Sequence, residues 1–87
     1  MKTIHKYFLG GAVIQIPQGA KPLHLEGSVQ DVYLWALVDT DVPQVKRYVT
    51  VIGTGQDLAK YPFAKEYIGT HKDGQLVWHY FLSEDVG

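Results

Sequence analysis

Apolar residues recur along this chain at every second position, and helical spacing is nowhere sustained. Six apolar runs are separated by Gly, Pro and Asp, the pattern of an all-β domain. Thr3–Leu9 and Ala12–Ile16 flank Gly10-Gly11, which predicts a two-residue hairpin with Leu9 opposite Ala12, Tyr7 opposite Ile14 and His5 opposite Ile16. One face of that hairpin carries Tyr7, Leu9, Ala12, Ile14 and Ile16; the other carries Lys6 and Gln15, with Phe8 and Val13 near the turn. Pro22–Glu26 reads as a short strand with Leu23 and Leu25 inward, and Gly27-Ser28 as a turn. Val32–Val38 is apolar on both faces and predicts a central strand covered on both sides. Val45–Ile52 alternates, with Val45, Arg47, Val49 and Val51 against Lys46, Tyr48, Thr50 and Ile52. Gly53–Lys65 is irregular: Asp57 caps one helical turn over Leu58–Tyr61, and Pro62 stops it. A last hairpin pairs Glu66–His71 with Gln75–Leu82 across Asp73-Gly74, with Gly69 under Trp78, Tyr67 opposite Tyr80 and His71 opposite Leu76. The expected architecture is a compact six- to seven-stranded antiparallel sandwich or small barrel with at most one short helical turn.

Composition narrows the class. With 87 residues the chain is read as one β domain over 1–87. It has no cysteine, so neither a disulfide framework nor a thiolate zinc site is available. No apolar run is long enough to span a membrane, and no secretory or lipidation signal stands out. Eight Lys plus Arg against nine Asp plus Glu leave a formal charge of −1, which argues against a phosphate-backbone binder. The cytoplasm is the default location. Aromatics make up 13% of the residues and give self-association material to work with.

Candidate chemistry is sparse. His71 and His79 fall on opposite faces of the last hairpin, so they do not share a metal ion, and no metal or other cofactor is implied. The serines, Ser28 and Ser83, lie in no nucleophile motif, and no catalytic residue emerges. Lys46 and Arg47 point to opposite faces and form no single basic patch. Gly53-Thr54-Gly55 is a candidate ligand loop, because small residues leave backbone N–H groups open; the alternative is a tight strand exit. Tyr61 and Phe63, flanking Pro62 between Lys60 and Lys65, either anchor a partner interface or fold back as a lid on the sheet.

The segments Met1-Lys2-Thr3-Ile4, Lys6-Tyr7, Pro17-x-Gly19-Ala20-Lys21, Leu34-Trp35-Ala36-Leu37-Val38-Asp39, Val51-x-Gly53-Thr54-Gly55, Tyr67-Ile68-Gly69-Thr70 and Val77-Trp78-His79 resemble a small family of proteins encoded by phages and prophages. The likeness covers nearly the whole chain and is weakest over positions 56–66. It brings no activity with it, but it implies a setting: an accessory protein in the cytoplasm of a bacterial host. Such proteins often bind and block host machinery, including CRISPR-type defence complexes. The leading expectation is therefore a non-enzymatic inhibitor of a host protein or complex, with Tyr61, Phe63, Lys60 and Lys65 at the interface. One alternative is a small-ligand or nucleotide-sequestering binder using Gly53, Thr54 and Gly55 with Trp35 or His79, within one chain or across an oligomer interface. Another is a virion component that self-associates into a homo-oligomer.

Overall fold

The computed structural model describes residues 1–27 and 31–85. Among these, seven strands form two antiparallel sheets, and a single 3-10 turn, Leu58–Lys60, is the one helical element. The strands are β1 (Lys2–Phe8), β2 (Val13–Pro17), β3 (Lys21–Gly27), β4 (Val32–Asp39), β5 (Gln44–Gly53), β6 (Glu66–Asp73) and β7 (Leu76–Leu82). The three-stranded sheet has the order β1-β4-β3 and the four-stranded sheet β2-β5-β7-β6. Neither closes on itself as a barrel. No helix among the described residues is long and apolar enough to cross a membrane.

One core lies between the sheets. β4 supplies Val32, Leu34, Ala36 and Val38, β2 supplies Ile14 and Ile16, and β6 and β7 supply Ile68, Tyr80 and Leu82. Tyr7 also turns into this core, and burial holds its phenol above the usual tyrosine range, as it does for Tyr80.

The expected β1–β2 hairpin does not form. β1 pairs with β4 and β2 pairs with β5. The Leu9 N–H donates to Val32 O at 2.8 Å and the Val49 N–H to Ala12 O at 2.8 Å, so Gly10-Gly11 carries the chain from one sheet to the other. Neither glycine adopts positive φ, which the tight hairpin turns require. Gly10 instead makes room for the Phe8 ring, which fills the place a Cβ would take. The expected faces survive without the pairing: Tyr7, Leu9, Ile14 and Ile16 turn inward, whereas Ala12 is exposed.

Two further departures come from bulges. In β3 the register shifts between Pro22 and His24, so Leu23 is the extra residue and is 48% exposed rather than inward. In β6 it shifts between Tyr67 and Gly69. The hairpin turn is Gly74-Gln75, with Gly74 at φ 60 and Asp73 opposite Leu76. Gly69 therefore faces Tyr80, and His71 faces Trp78. The Trp78 indole lies instead over Gly53, its partner on β5, with Cζ3 3.3 Å from the Cβ position. What crosses Gly69 is Leu25 from the other sheet: a Cβ there would collide with Leu25 Cβ, and Gly69 has φ 148.

The β7 end is pinned by Arg47, whose Nε donates to Ser83 O at 2.7 Å and whose Nη2 meets Glu66 Oε1 at 2.7 Å. Ser83 is buried; its Oγ accepts from Tyr48 N at 2.8 Å, so it holds the strand end rather than a loose tail.

These contacts rank the glycines. Gly69→Ala meets both positive φ and a neighbouring Cβ, and should cost about 2–4 kcal/mol. Gly74→Ala meets positive φ with nothing within 4 Å, and should cost about 1 kcal/mol. Urea denaturation with linear extrapolation measures both; equal losses would show that the Leu25 contact is not what restricts position 69.

Candidate functional site

The two sheets treat their outer faces differently. On the four-stranded sheet, Tyr48, Thr50 and Ile52 of β5 point outward beside His79 and Phe81 of β7. Ile52 is 2% exposed yet lies outside the core cluster. It is buried because the segment after it folds back. Gly55, at φ 90, turns the chain, and Gln56 Oε1 accepts from Gly53 N at 2.6 Å. Asp57 then caps the 3-10 turn by accepting from Ala59 N at 2.9 Å. Phe63 seats its ring against Tyr48 with centroids 5.1 Å apart. The segment is thus a lid on the sheet.

A cleft of about 230 Å³ remains between lid and sheet. Its apolar walls are Ile52, Leu58 and Phe81; its polar groups come from Thr54, Gln56 and His79, and none of its side chains carries a fixed charge. Thr54 Oγ1 lies 2.7 Å from His79 Nε2, and Thr70 Oγ1 lies 3.0 Å from His79 Nδ1. The Tyr67 hydroxyl in turn bonds Thr70 Oγ1. The β6 bulge makes this row possible. Residues three apart on a regular strand face opposite ways, but the extra residue Ile68 sinks into the core and leaves Tyr67 and Thr70 on one face. Tyr67 pairs with Phe81, edge to face at 5.6 Å, rather than with Tyr80.

A hydroxyl on one imidazole nitrogen and an orienting group on the other is the layout of a nucleophile and its base. Here the orienting group is the neutral Thr70 hydroxyl, where a hydrolytic triad has a carboxylate to stabilise the imidazolium. The row is suited to directed hydrogen bonding rather than to developing charge.

Among the described residues, nothing forms a lid on the outer face of the three-stranded sheet. The expectation that Val32–Val38 is covered on both sides is not met: only its even-numbered residues are buried, and Leu37 is 39% exposed. Cross-strand rows run Ile4–Leu37–Lys21, Lys6–Trp35–His24 and Phe8–Tyr33–Glu26. Phe8 and Tyr33 rings lie 5.5 Å apart, and Lys6 Nζ sits 4.2 Å from the Tyr33 centroid and 5.4 Å from that of Trp35. A depression of about 370 Å³ lined by Lys6, Glu26, Gly27, Asp31 and Tyr33 lies at one end.

Of the residues singled out from sequence, Gly53, Thr54 and Gly55 line the cleft with His79; Trp35 lies on the other sheet's outer face and does not meet them within one chain. Lys60, Phe63 and Lys65 are exposed on the lid, and Tyr61 is half-buried. Lys46 points outward while Arg47 points inward to Glu66. Among the described residues no three His, Cys, Asp or Glu side chains converge to hold a metal; Ser28 of the expected Gly27-Ser28 turn lies outside the described residues. The open face is hidden in the sequence because an apolar run with no polar side reads as doubly covered. Tyr67 and Thr70 are hidden there because their shared face depends on the bulge.

The lid should depend on Phe63. An aromatic pair is worth ~0.5–1.5 kcal/mol beyond its burial, so Phe63→Ser should speed amide hydrogen exchange across positions 56–65 about tenfold. Amides of β4 should keep their protection. Unchanged exchange in the lid would show that Phe63 does not hold it.

No curated protein and no solved structure matches the chain. The profile of one family, a domain of unknown function (DUF7352), matches residues 1–86, and the chain belongs to that family.

Proposed function

We propose that this domain works by binding a protein partner, through the outer face of β1, β4 and β3. The observation that carries the reading is the uncovered row of Ile4, Phe8, Tyr33, Trp35 and Leu37 around Lys6. Ile4 is 55% and Phe8 53% exposed. Contiguous apolar surface of this kind on a small domain marks an interaction site. Aromatic anchors and a cation held over their rings are the groups that carry most binding energy in protein interfaces.

The partner's chemistry follows from Lys6. Its ammonium makes no ion pair among the described residues and is fixed by ring contacts in the middle of the apolar rows. A complementary surface presents apolar groups around a carboxylate. The resemblance to phage and prophage proteins supplies the setting: a host protein, including a component of a CRISPR-type defence complex, blocked by occupation of its own binding surface. Binding rather than catalysis is the reading for the chain as a whole. Lys60, Phe63 and Lys65 on the lid form the competing interface, where Phe63 pairs with Tyr48 much as Phe8 pairs with Tyr33.

The test compares baits. A host protein captured at near-stoichiometric level by the wild type should be lost with Lys6→Glu and with Phe8→Ser, each by more than about tenfold. Phe63→Ser and Lys60→Glu should retain it. The same pattern should appear in relief of CRISPR-type interference in the host. Loss that tracks the lid variants would move the interface to the lid. A wild-type dimer in light scattering that Phe8→Ser splits would show that a second copy covers the face, and would overturn the host-partner reading.

A further inference from the structure

We infer that the cleft under the lid binds a small uncharged nitrogen heterocycle of nucleobase type, read by Thr54 and Gly55 and flanked by Phe81. The site is separate from the open face, which belongs to the other sheet.

Size and charge set the class. At about 230 Å³ the cleft falls below the ~300–1,000 Å³ of drug-sized pockets and accommodates one ring system. It has no Lys or Arg among its lining residues, so nothing there balances a phosphate or a carboxylate. Its walls are Ile52, Leu58 and the Phe81 ring, which suit a flat, largely apolar body. The Gly55 N–H is a fixed donor with no partner among the described residues, on a backbone whose φ of 90 favours glycine.

Thr54 supplies the adjustable contact. Its hydroxyl ends the row Tyr67–Thr70–His79–Thr54, which can run in either direction. In one, Tyr67 donates to Thr70, Thr70 donates to Nδ1, Nε2–H donates to Thr54 Oγ1, and the Thr54 proton is free for an acceptor on the ligand. In the other, Thr54 donates to Nε2, Nδ1–H donates to Thr70, Thr70 donates to Tyr67, and Thr54 Oγ1 accepts from the ligand. A neutral imidazole has one N–H, and its tautomer selects the direction. The edge recognised therefore has an acceptor for Gly55 beside a donor or an acceptor for Thr54, as the edges of pyrimidine bases do.

Nitrogen-15 NMR of the full chain reads this directly, because ring-nitrogen shifts report the His79 tautomer. Uracil, cytosine, adenine and inorganic phosphate are the probes. At least one base should shift the resonances of residues 52–58, His79 and Phe81, and phosphate should shift none of them. Thr54→Val keeps the branched shape, removes the hydroxyl and should weaken the base about five- to tenfold. Phe81→Leu should also weaken it, whereas Phe8→Ser on the other sheet should not. The proposal is overturned if no base perturbs the cleft up to its solubility limit, if phosphate alone reproduces the shifts, or if Thr54→Val and Phe81→Leu both bind as wild type.

Discussion

The crossing of β3 over β6 is the contact on which most of this architecture depends. Leu25 comes so close to Gly69 that no side chain fits between them. Antiparallel sheets normally stand about 10 Å apart and fill the space with side chains from both. At this corner one side contributes bare backbone, and the two sheets come together. The bulge beside Gly69 does two jobs at once. It drops Ile68 into the core and turns both Tyr67 and Thr70 outward. A packing device inside the molecule thereby sets the hydroxyl row on its surface. Bulges recur beside binding sites because they re-aim side chains, and here the inner and outer consequences come from the same residue.

The outer faces then diverge because the chain supplies a cover for one sheet and not for the other. After β5 comes an irregular segment that carries Leu58 and Phe63 and stops short of a helix at Pro62. Its apolar groups have Ile52, Tyr48 and Phe81 to cover, and a lid forms. Among the described residues no segment folds back over the three-stranded sheet. Its outer aromatics bury part of their surface against each other and under the Lys6 ammonium, which lowers the cost of exposure but does not remove it. At roughly 25 cal/mol per Å² of apolar surface, exposed Ile4, Phe8 and Leu37 give up stabilisation that covering would recover.

Side-chain parity was legible in the sequence and strand pairing was not. Inward and outward sets for β1, β2 and β5 follow from the period of two, which is a local property of extended backbone. Pairing depends on which strand competes best, and β4 offers both of its edges: β1 takes one and β3 the other. Gly10-Gly11 carries a strong hairpin signal, yet its backbone angles are set by the need to pass between sheets. For the last hairpin, the turn falls one residue later than the Asp-Gly pair implies. That moves every partner by two positions and keeps the faces, so His71 and Trp78 remain on one side. The bulge then breaks parity for Tyr67. At the candidate site, Gly53-Thr54-Gly55 and His79 could be named from residue type, while Thr70 and Tyr67 required the register.

The hydroxyl row is ordered by the sheet rather than by its own hydrogen bonds. Its groups are exposed or half-buried, so each hydrogen bond replaces one to water and adds little to stability. Ordering Thr54, Thr70, His79 and Tyr67 together still costs side-chain entropy. A row that gives the fold so little return is best understood as fixed by the strands beneath it. The β5–β7–β6 register brings Ile52, His79 and Thr70 side by side, and the tight exit after Gly53 brings Thr54 to Nε2. Its geometry thus comes from sheet pairings that the core already stabilises. A ligand entering the cleft meets groups whose ordering is complete, and that is the condition under which a small neutral ring can bind with few contacts.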